Sequence, residues 1–305
     1  MSVIFDILNK QKNLGPAPVL TVAECLNLIP GLAQFSFDET DEDFVAEEFY
    51  ALPLSRLDSM VVGFDGQSGR GFELGYEKEE NTYAVRVNTP ALAADWRLAL
   101  AFMQTLARKL GSPIIKEDGT AFTAENITEF DYEPDIAYGI KVFCEHAVES
   151  GSSVIFGIFR PVYIDRNLAR ELLSSPEQML RFEELMHRTQ YTDAYAANQQ
   201  FYINQEDEKV IGNYTLTQEL PTILPYQPYV EYDNQSMLDE QEVSRWQITF
   251  VGYEDENDPE SYYALGEMAY GRFIQKLDPV KYYFLDSNYI VVSGLSQAEM
   301  AGLLE

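Results

Sequence analysis

Apolar residues recur along this chain with two periods, and the switch between them lays out its elements. Residues 60–64, 71–76 and 82–87 form short apolar and aromatic runs separated by Asp65-Gly66-Gln67-Ser68-Gly69 and by Glu79-Glu80-Asn81. Short runs bounded by turn residues predict an antiparallel meander. The period then lengthens: Leu92, Trp96, Leu100, Met103, Ala107 and Leu110 form a helical stripe. Thr89 as N-cap and Pro90 at the first helical position predict where that helix opens. Asp95 near its start and Arg108 and Lys109 near its end complement the helix dipole. The apolar face is wide, so the helix is expected to pack deeply, against the meander.

The same reading extends to both sides. Residues 2–8 predict a buried strand, and Thr21 with Glu24 forms a capping box for a helix that stops before Pro30-Gly31. Residues 38–48 hold seven carboxylates and no base. Phe44, Val45, Phe49 and Tyr50 interleave with them or follow, which predicts a short amphipathic helix in part of the stretch. Residues 114–115 and 121–122 flank a hairpin-like turn. Ile136, Ile140, Phe143 and Ala147 predict a helix over 135–149, with Gly139 inside it. Residues 154–164 read as one strand, broken or bulged at Arg160-Pro161, followed by helices at 167–173 and 176–188, the second capped by Ser175. Strands are predicted at 201–203, 210–216, 246–253, 282–285 and 289–292. Pro221, Pro225 and Pro228 predict an irregular crossing over 220–232.

These elements define an α+β protein of mostly antiparallel sheets with packed helices, in two tightly associated modules, 1–165 and 166–305. Residues 75–81 resemble 252–257, and 114–122 parallel 284–292. The order strand, helix, hairpin thus recurs, as an internal duplication would give; a shared strand order is the test.

Composition narrows the functional classes. Of 305 residues, 46% are hydrophobic and 23% charged, which is ordinary for a globular chain. Asp and Glu number 50 against 21 Lys and Arg, a formal charge of −29. Such a chain repels phosphate backbones and anionic membrane surfaces, so neither nucleic acid nor membrane is expected as a partner, and a basic protein is. Two cysteines without a CxxC pair suit a reducing compartment. The first residues carry no basic leader, and no uncharged stretch is long enough for a membrane span. A cytoplasmic location is the expectation.

Candidate chemistry is sparse. Only His146 and His187 supply imidazole. Cys144 and His146 are two apart on a predicted helix and face different sides, so they do not form a dyad. His187 lies near a helix C-terminus, where a capping role is expected. The glycine-rich loop 63–71 precedes a strand rather than a helix and has no Walker lysine, so it reads as a hairpin turn. GxSxG and HExxH are absent. Asp38, Asp41 and Asp43, and likewise Glu254, Asp255, Glu256 and Asp258, form acidic patches that lack the sharp-turn glycine of a calcium loop. They read as solvated acidic surface; no metal site and no cofactor is assigned. Between Gly157 and Gln190 five arginines occur without a lysine. Arg160 and Arg166 are candidates for an anion pocket, with an internal docking surface as the plainer alternative.

The opening Phe5-Asp-Ile-Leu-Asn-Lys and Val19-Leu-Thr-Val-Ala-Glu-Cys-Leu, with Pro221-Thr-Ile-Leu-Pro225-Tyr-Gln-Pro228, resemble an uncharacterised family of cytoplasmic Firmicutes proteins, streptococci included. Its members are of about this length and carry a domain-of-unknown-function label. The resemblance spans the chain and implies no activity and no site residues. The expected function is that of a non-enzymatic acidic binding or scaffold protein acting on a basic partner, an immunity-type or nucleic-acid-mimicking inhibitor being one form. The alternatives are a hydrolase-type enzyme using clustered carboxylates with Arg and Tyr support, and a homo-oligomer built on the second half. The chain from Tyr191 onward holds fourteen of the twenty tyrosines, and tyrosine is enriched at interfaces.

Overall fold

The computed structural model describes residues 1–12, 15–205, 208–238 and 242–305. The chain is an α+β protein with mostly antiparallel sheets, and it divides into two compact units, Met1–Tyr191 and Thr192–Glu305. Its helices are α1 (Val22–Leu26), α2 (Ala46–Ala51), α3 (Ala93–Leu110), α4 (Glu133–Ser150), α5 (Arg166–Ser174), α6 (Gln178–Gln190), α7 (Tyr270–Lys276) and α8 (Gln297–Leu304).

The first unit is built on a seven-stranded antiparallel sheet. Its spatial order is Ala33–Gln34, Met60–Gly63, Phe72–Glu77, Thr82–Asn88, Ser2–Leu8, Ile114–Lys116, Ala121–Phe122. The predicted meander forms its centre, with Met60 opposite Leu74 and Leu74 opposite Val85. The N-terminal strand inserts between residues 82–88 and 114–116, with Phe5 paired to Val85 on one side and Lys116 on the other. Helix α3 packs on this sheet through a buried face of Trp96, Leu100, Met103, Ala107 and Leu110. Trp96 meets Phe5 edge-on, and Phe102 lies against Phe72.

Helix α3 opens at Ala93, later than Thr89-Pro90 predicts, because Thr89 is committed elsewhere. Its hydroxyl donates to the Asp135 carboxylate at 2.8 Å. The buried Asp95 side chain instead accepts the Leu92 N–H at the helix start. Helix α4 accommodates Gly139 because a Cβ there would stand 2.6 Å from Thr89 Cγ2 and 2.7 Å from the Pro90 nitrogen.

Residues 152–165 fold back on themselves rather than forming one broken strand. Ser152–Phe156 and Pro161–Asp165 make an antiparallel hairpin, with Val154 opposite Tyr163 and Phe156 opposite Pro161. Pro161 has no N–H to give and stands at the first position of its strand. The predicted boundary at 166 falls inside the first unit, because α5 and α6 bury Ala169, Leu172, Phe182, Leu185 and Met186 in its core.

The second unit contains two four-stranded sheets. One runs Tyr195–Ala196, Thr222–Pro225, Tyr289–Val292, Tyr282–Phe284; the other runs Gln200–Ile203, Val210–Thr217, Val243–Tyr253, Tyr262–Ala269. Each has one parallel pair, residues 195–196 with 222–225 and residues 210–217 with 243–253. Thr222–Pro225, predicted as part of an irregular crossing, is a fully buried strand in which proline takes the last place. The core gathers Tyr214, Leu216, Leu224, Phe250, Phe273 and Val292, closed by α7 and α8. The hairpin, helix, hairpin order recurs in both units, but one sheet of seven is matched by two sheets of four with parallel pairs. The strand order is not shared, and the duplication fails its test.

Candidate functional site

The acidic stretch 38–48 is folded, not merely solvated. Gln34, nearly buried on its edge strand, accepts the Ser36 and Phe37 N–H groups on Oε1. Its Nε2 donates to the Phe37 carbonyl and to Glu39. Tyr50 also donates to Glu39, and the hydrogen bonds from Tyr50 and Gln34 hold the Glu39 carboxyl below its usual range. Phe37, Phe44 and Tyr50 all pack against the buried Phe49, with ring centroids 4.8 to 5.3 Å apart. Asp38 accepts the Thr40 N–H and hydroxyl, which lowers its pKa, and Asp41 accepts the Asp43 N–H. Asp38, Asp41 and Asp43 thus stand exposed on one short folded segment, the platform, whose turns Asp38 and Asp41 help to fix. Among the described residues none of the seven carboxylates enters an ion pair.

Glu254, Asp255, Glu256 and Asp258 occupy the exposed turn between the strands Val243–Tyr253 and Tyr262–Ala269 in the second unit. Asp255 accepts the Asn257 N–H, and Asp258 caps a short 3-10 turn by accepting the Glu260 N–H. Two of the four thus shape the turn. Among the described residues no group of three or more His, Cys, Asp or Glu is placed to hold a metal ion.

Arg160 and Arg166 do not converge. They stand just outside the two ends of the strand Pro161–Asp165, roughly 20 Å apart along an extended chain. The Arg166 Nε donates to the Val148 carbonyl. Arg160 is half-buried, with Nη1 enclosed and without a hydrogen bond, and burial lowers its pKa.

The hairpin turn that carries Arg160 is held from three sides. Gln190, buried on α6, accepts the Phe159 and Arg160 N–H groups and donates to the Arg160 carbonyl. The Ile158 N–H donates to the Gly69 carbonyl. Arg70 donates from Nε to the Phe156 carbonyl and from Nη1 to the Pro90 carbonyl, and burial brings its pKa down to about 10. Asp95 fixes the Arg70 segment in turn. Its wholly buried carboxylate accepts the backbone N–H groups of Arg70 and Gly71, both at 3.0 Å. Burial raises this carboxyl and the donors around it oppose the rise. On this frame Phe156 is 70% exposed and Phe159 50% exposed. Phe159 meets Phe35 edge-on at 5.3 Å and Tyr191 at 5.7 Å. Sequence reasoning passed over these aromatics, and the one signal was Phe-Gly-Ile-Phe between two strand runs.

Cys144 is buried while His146 is exposed and lies 3.3 Å from the Ser150 hydroxyl, so the two do not meet. His187 approaches the Gly66 carbonyl at 3.2 Å instead of capping its own helix. The loop 63–71 joins two antiparallel strands, as a hairpin connection does. A cleft of about 200 Å³ lies among α3, α4 and α6, with Arg97, Tyr132, Glu133 and Glu183 beside Leu92 and Phe182. Among the described residues neither glutamate bonds another side chain there, whereas acid–base catalysis needs a positioned partner.

The described residues define an α+β protein of two units with mostly antiparallel sheets. A family model described as domain of unknown function DUF4299 matches residues 2–303. The chain belongs to that family. No curated protein and no solved structure matches it. Among the described residues no helix is long and apolar enough to cross a membrane.

Proposed function

We propose that this is a non-catalytic, cytoplasmic binding protein, of Firmicutes as the sequence resemblance implies, whose partner is a protein with a cationic surface. The observation that carries the reading is the platform at residues 38–48. Seven carboxylates are displayed on a segment fixed by Gln34 and an aromatic cluster, and among the described residues none of them is ion-paired. Holding like charges together costs free energy unless a counter-charge arrives, and a fixed display lowers the ordering cost when it does. Even full internal pairing would leave 50 − 21 = 29 acids uncompensated.

The test is a binding series with a labelled lysine-rich peptide between about 50 and 300 mM salt, where screening shortens the range of exposed charges. Affinity should fall with salt. The Asp38→Asn, Asp41→Asn, Asp43→Asn triple variant should bind about tenfold more weakly, since exposed charges contribute up to about 1 kcal/mol each. Absence of binding at low salt would overturn the proposal.

A further inference from the structure

We propose that the ridge formed by Phe156, Phe159, Phe35 and Tyr191, with the adjoining acidic platform, is one docking surface for an amphipathic basic segment of a protein partner. The inference rests on the binding reading above and adds a place and a second chemistry to it.

Exposure at the ridge does not come from a loose loop. Gln190, Arg70 and the Gly69 carbonyl tie down the turn that presents Phe156 and Phe159. A fixed pair of exposed phenylalanines in a strongly charged chain keeps an apolar surface in water that folding did not cover. Phe35 touches Phe159, and two residues on along the chain Phe37 is exposed immediately before Asp38 and Glu39. An apolar strip bordered by carboxylates is complementary to a segment with apolar residues on one face and Lys or Arg beside them. Aromatic rings also attract cations at their faces, which serves the same ligand. Of the bases nearby, Arg70 donates to the Phe156 and Pro90 carbonyls, Arg160 has its Nη1 enclosed and His187 meets a carbonyl.

The experiment uses the full chain and two labelled peptides of equal charge, one of Leu and Lys in helical amphipathic order, the other with every Leu replaced by Ser. The Leu/Lys peptide should bind about tenfold or more tightly than the Ser/Lys peptide, as expected when aromatic anchors are engaged. The Phe156→Ser, Phe159→Ser double variant should lose that preference while retaining its affinity for the Ser/Lys peptide. The Asp38→Asn, Asp41→Asn, Asp43→Asn variant should weaken both. Equal affinity of the wild-type protein for the two peptides overturns the docking surface and leaves the acidic binding reading standing. Failure of both peptides to bind overturns the two together. Light scattering that shows a dimer abolished by the double variant assigns the ridge to self-association and also overturns the proposal. An unchanged circular dichroism spectrum shows that the variants fold.

Discussion

Replacing Asp95 with alanine withdraws one acceptor from three backbone donors at once. The carboxylate takes the Arg70 and Gly71 N–H groups at 3.0 Å and the Leu92 N–H at 3.2 Å, and the side chain is wholly buried. A buried donor left without a partner costs roughly 1–3 kcal/mol. Three such donors, with some water entering the vacated space, give an expected loss of about 4 kcal/mol. That is a large part of the roughly 5–15 kcal/mol that holds a domain folded. Asparagine separates the acceptor from the cavity effect. Its single oxygen can serve Arg70 and Leu92, which share Oδ2, but its amide then faces the Gly71 N–H. One stranded donor and two weaker bonds predict about 2 kcal/mol for Asp95→Asn. Urea unfolding followed by fluorescence reads this directly, because the two tryptophans, Trp96 and Trp246, fall in different units. In a Trp246→Phe background Trp96 alone reports the first unit. A loss under about 1 kcal/mol for Asp95→Ala, or equal losses for the two variants, would refute the acceptor argument.

Three further outcomes follow from the packing and the charges. Gly139→Ala should destabilise the first unit by about 1–3 kcal/mol, since its Cβ would press on Thr89 and Pro90; the same urea series measures it. Glu299 is held down at about 2 by the Lys281 ammonium and by Ser296, against 4.5 ordinarily. A depressed carboxyl stabilises above its unfolded pKa and loses that contribution as pH falls, so the second unit should weaken between about pH 4.5 and 2. Glu299→Gln should flatten that part of the curve, with unfolding midpoints against pH as the measurement. Burial pushes the Cys25 thiol up to about 12 and the Cys144 thiol up to about 11. Both should resist alkylation at neutral pH until urea unfolds the chain, as mass spectrometry of labelled protein would show.

The elements were legible where local pattern decides them, and lost where a distant residue does. The stripe from Trp96 to Leu110 identified α3, and the meander it packs on followed from short apolar runs bounded by turn residues. The start of α3 was misplaced because the Thr89 hydroxyl serves Asp135, a partner 46 positions on. The hairpin at 152–165 keeps the same alternation as a single strand, and what folds it back is Gln190 on a later helix. Three prolines concealed the strand at 222–225, whose buried places only the finished sheet reveals. The acidic stretch was legible as charge and as part of a short helix, but not as a platform, because Gln34 lies before it in an ordinary polar context. Asp95 read as a dipole partner, since its donors Arg70 and Gly71 lie 25 and 24 positions earlier. Arg160 and Arg166 looked close in sequence, and an extended strand drives them apart.

On the proposed reading, the platform and the ridge divide the work of binding between them. Exposed carboxylates act over about a Debye length, roughly 8–10 Å, so they raise the rate of encounter with a cationic partner more than they prolong its stay. Buried aromatic contact acts only on touching and slows departure. A protein with the platform alone would bind basic surfaces quickly, weakly and with little selection. Phe156 and Phe159 add selection, because a partner must then present apolar side chains in register with its charges. The Phe35–Phe159 contact joins the ridge to the chain that leads into the platform, while the bonds from Asp95 to Arg70 to the Phe156 carbonyl hold the ridge itself. Mutations at the platform should therefore change the association rate and its salt dependence, and mutations at the ridge should change the dissociation rate. Stopped-flow measurements on the two variants with the Leu/Lys peptide distinguish these effects, and a ridge variant that alters only association would contradict the division.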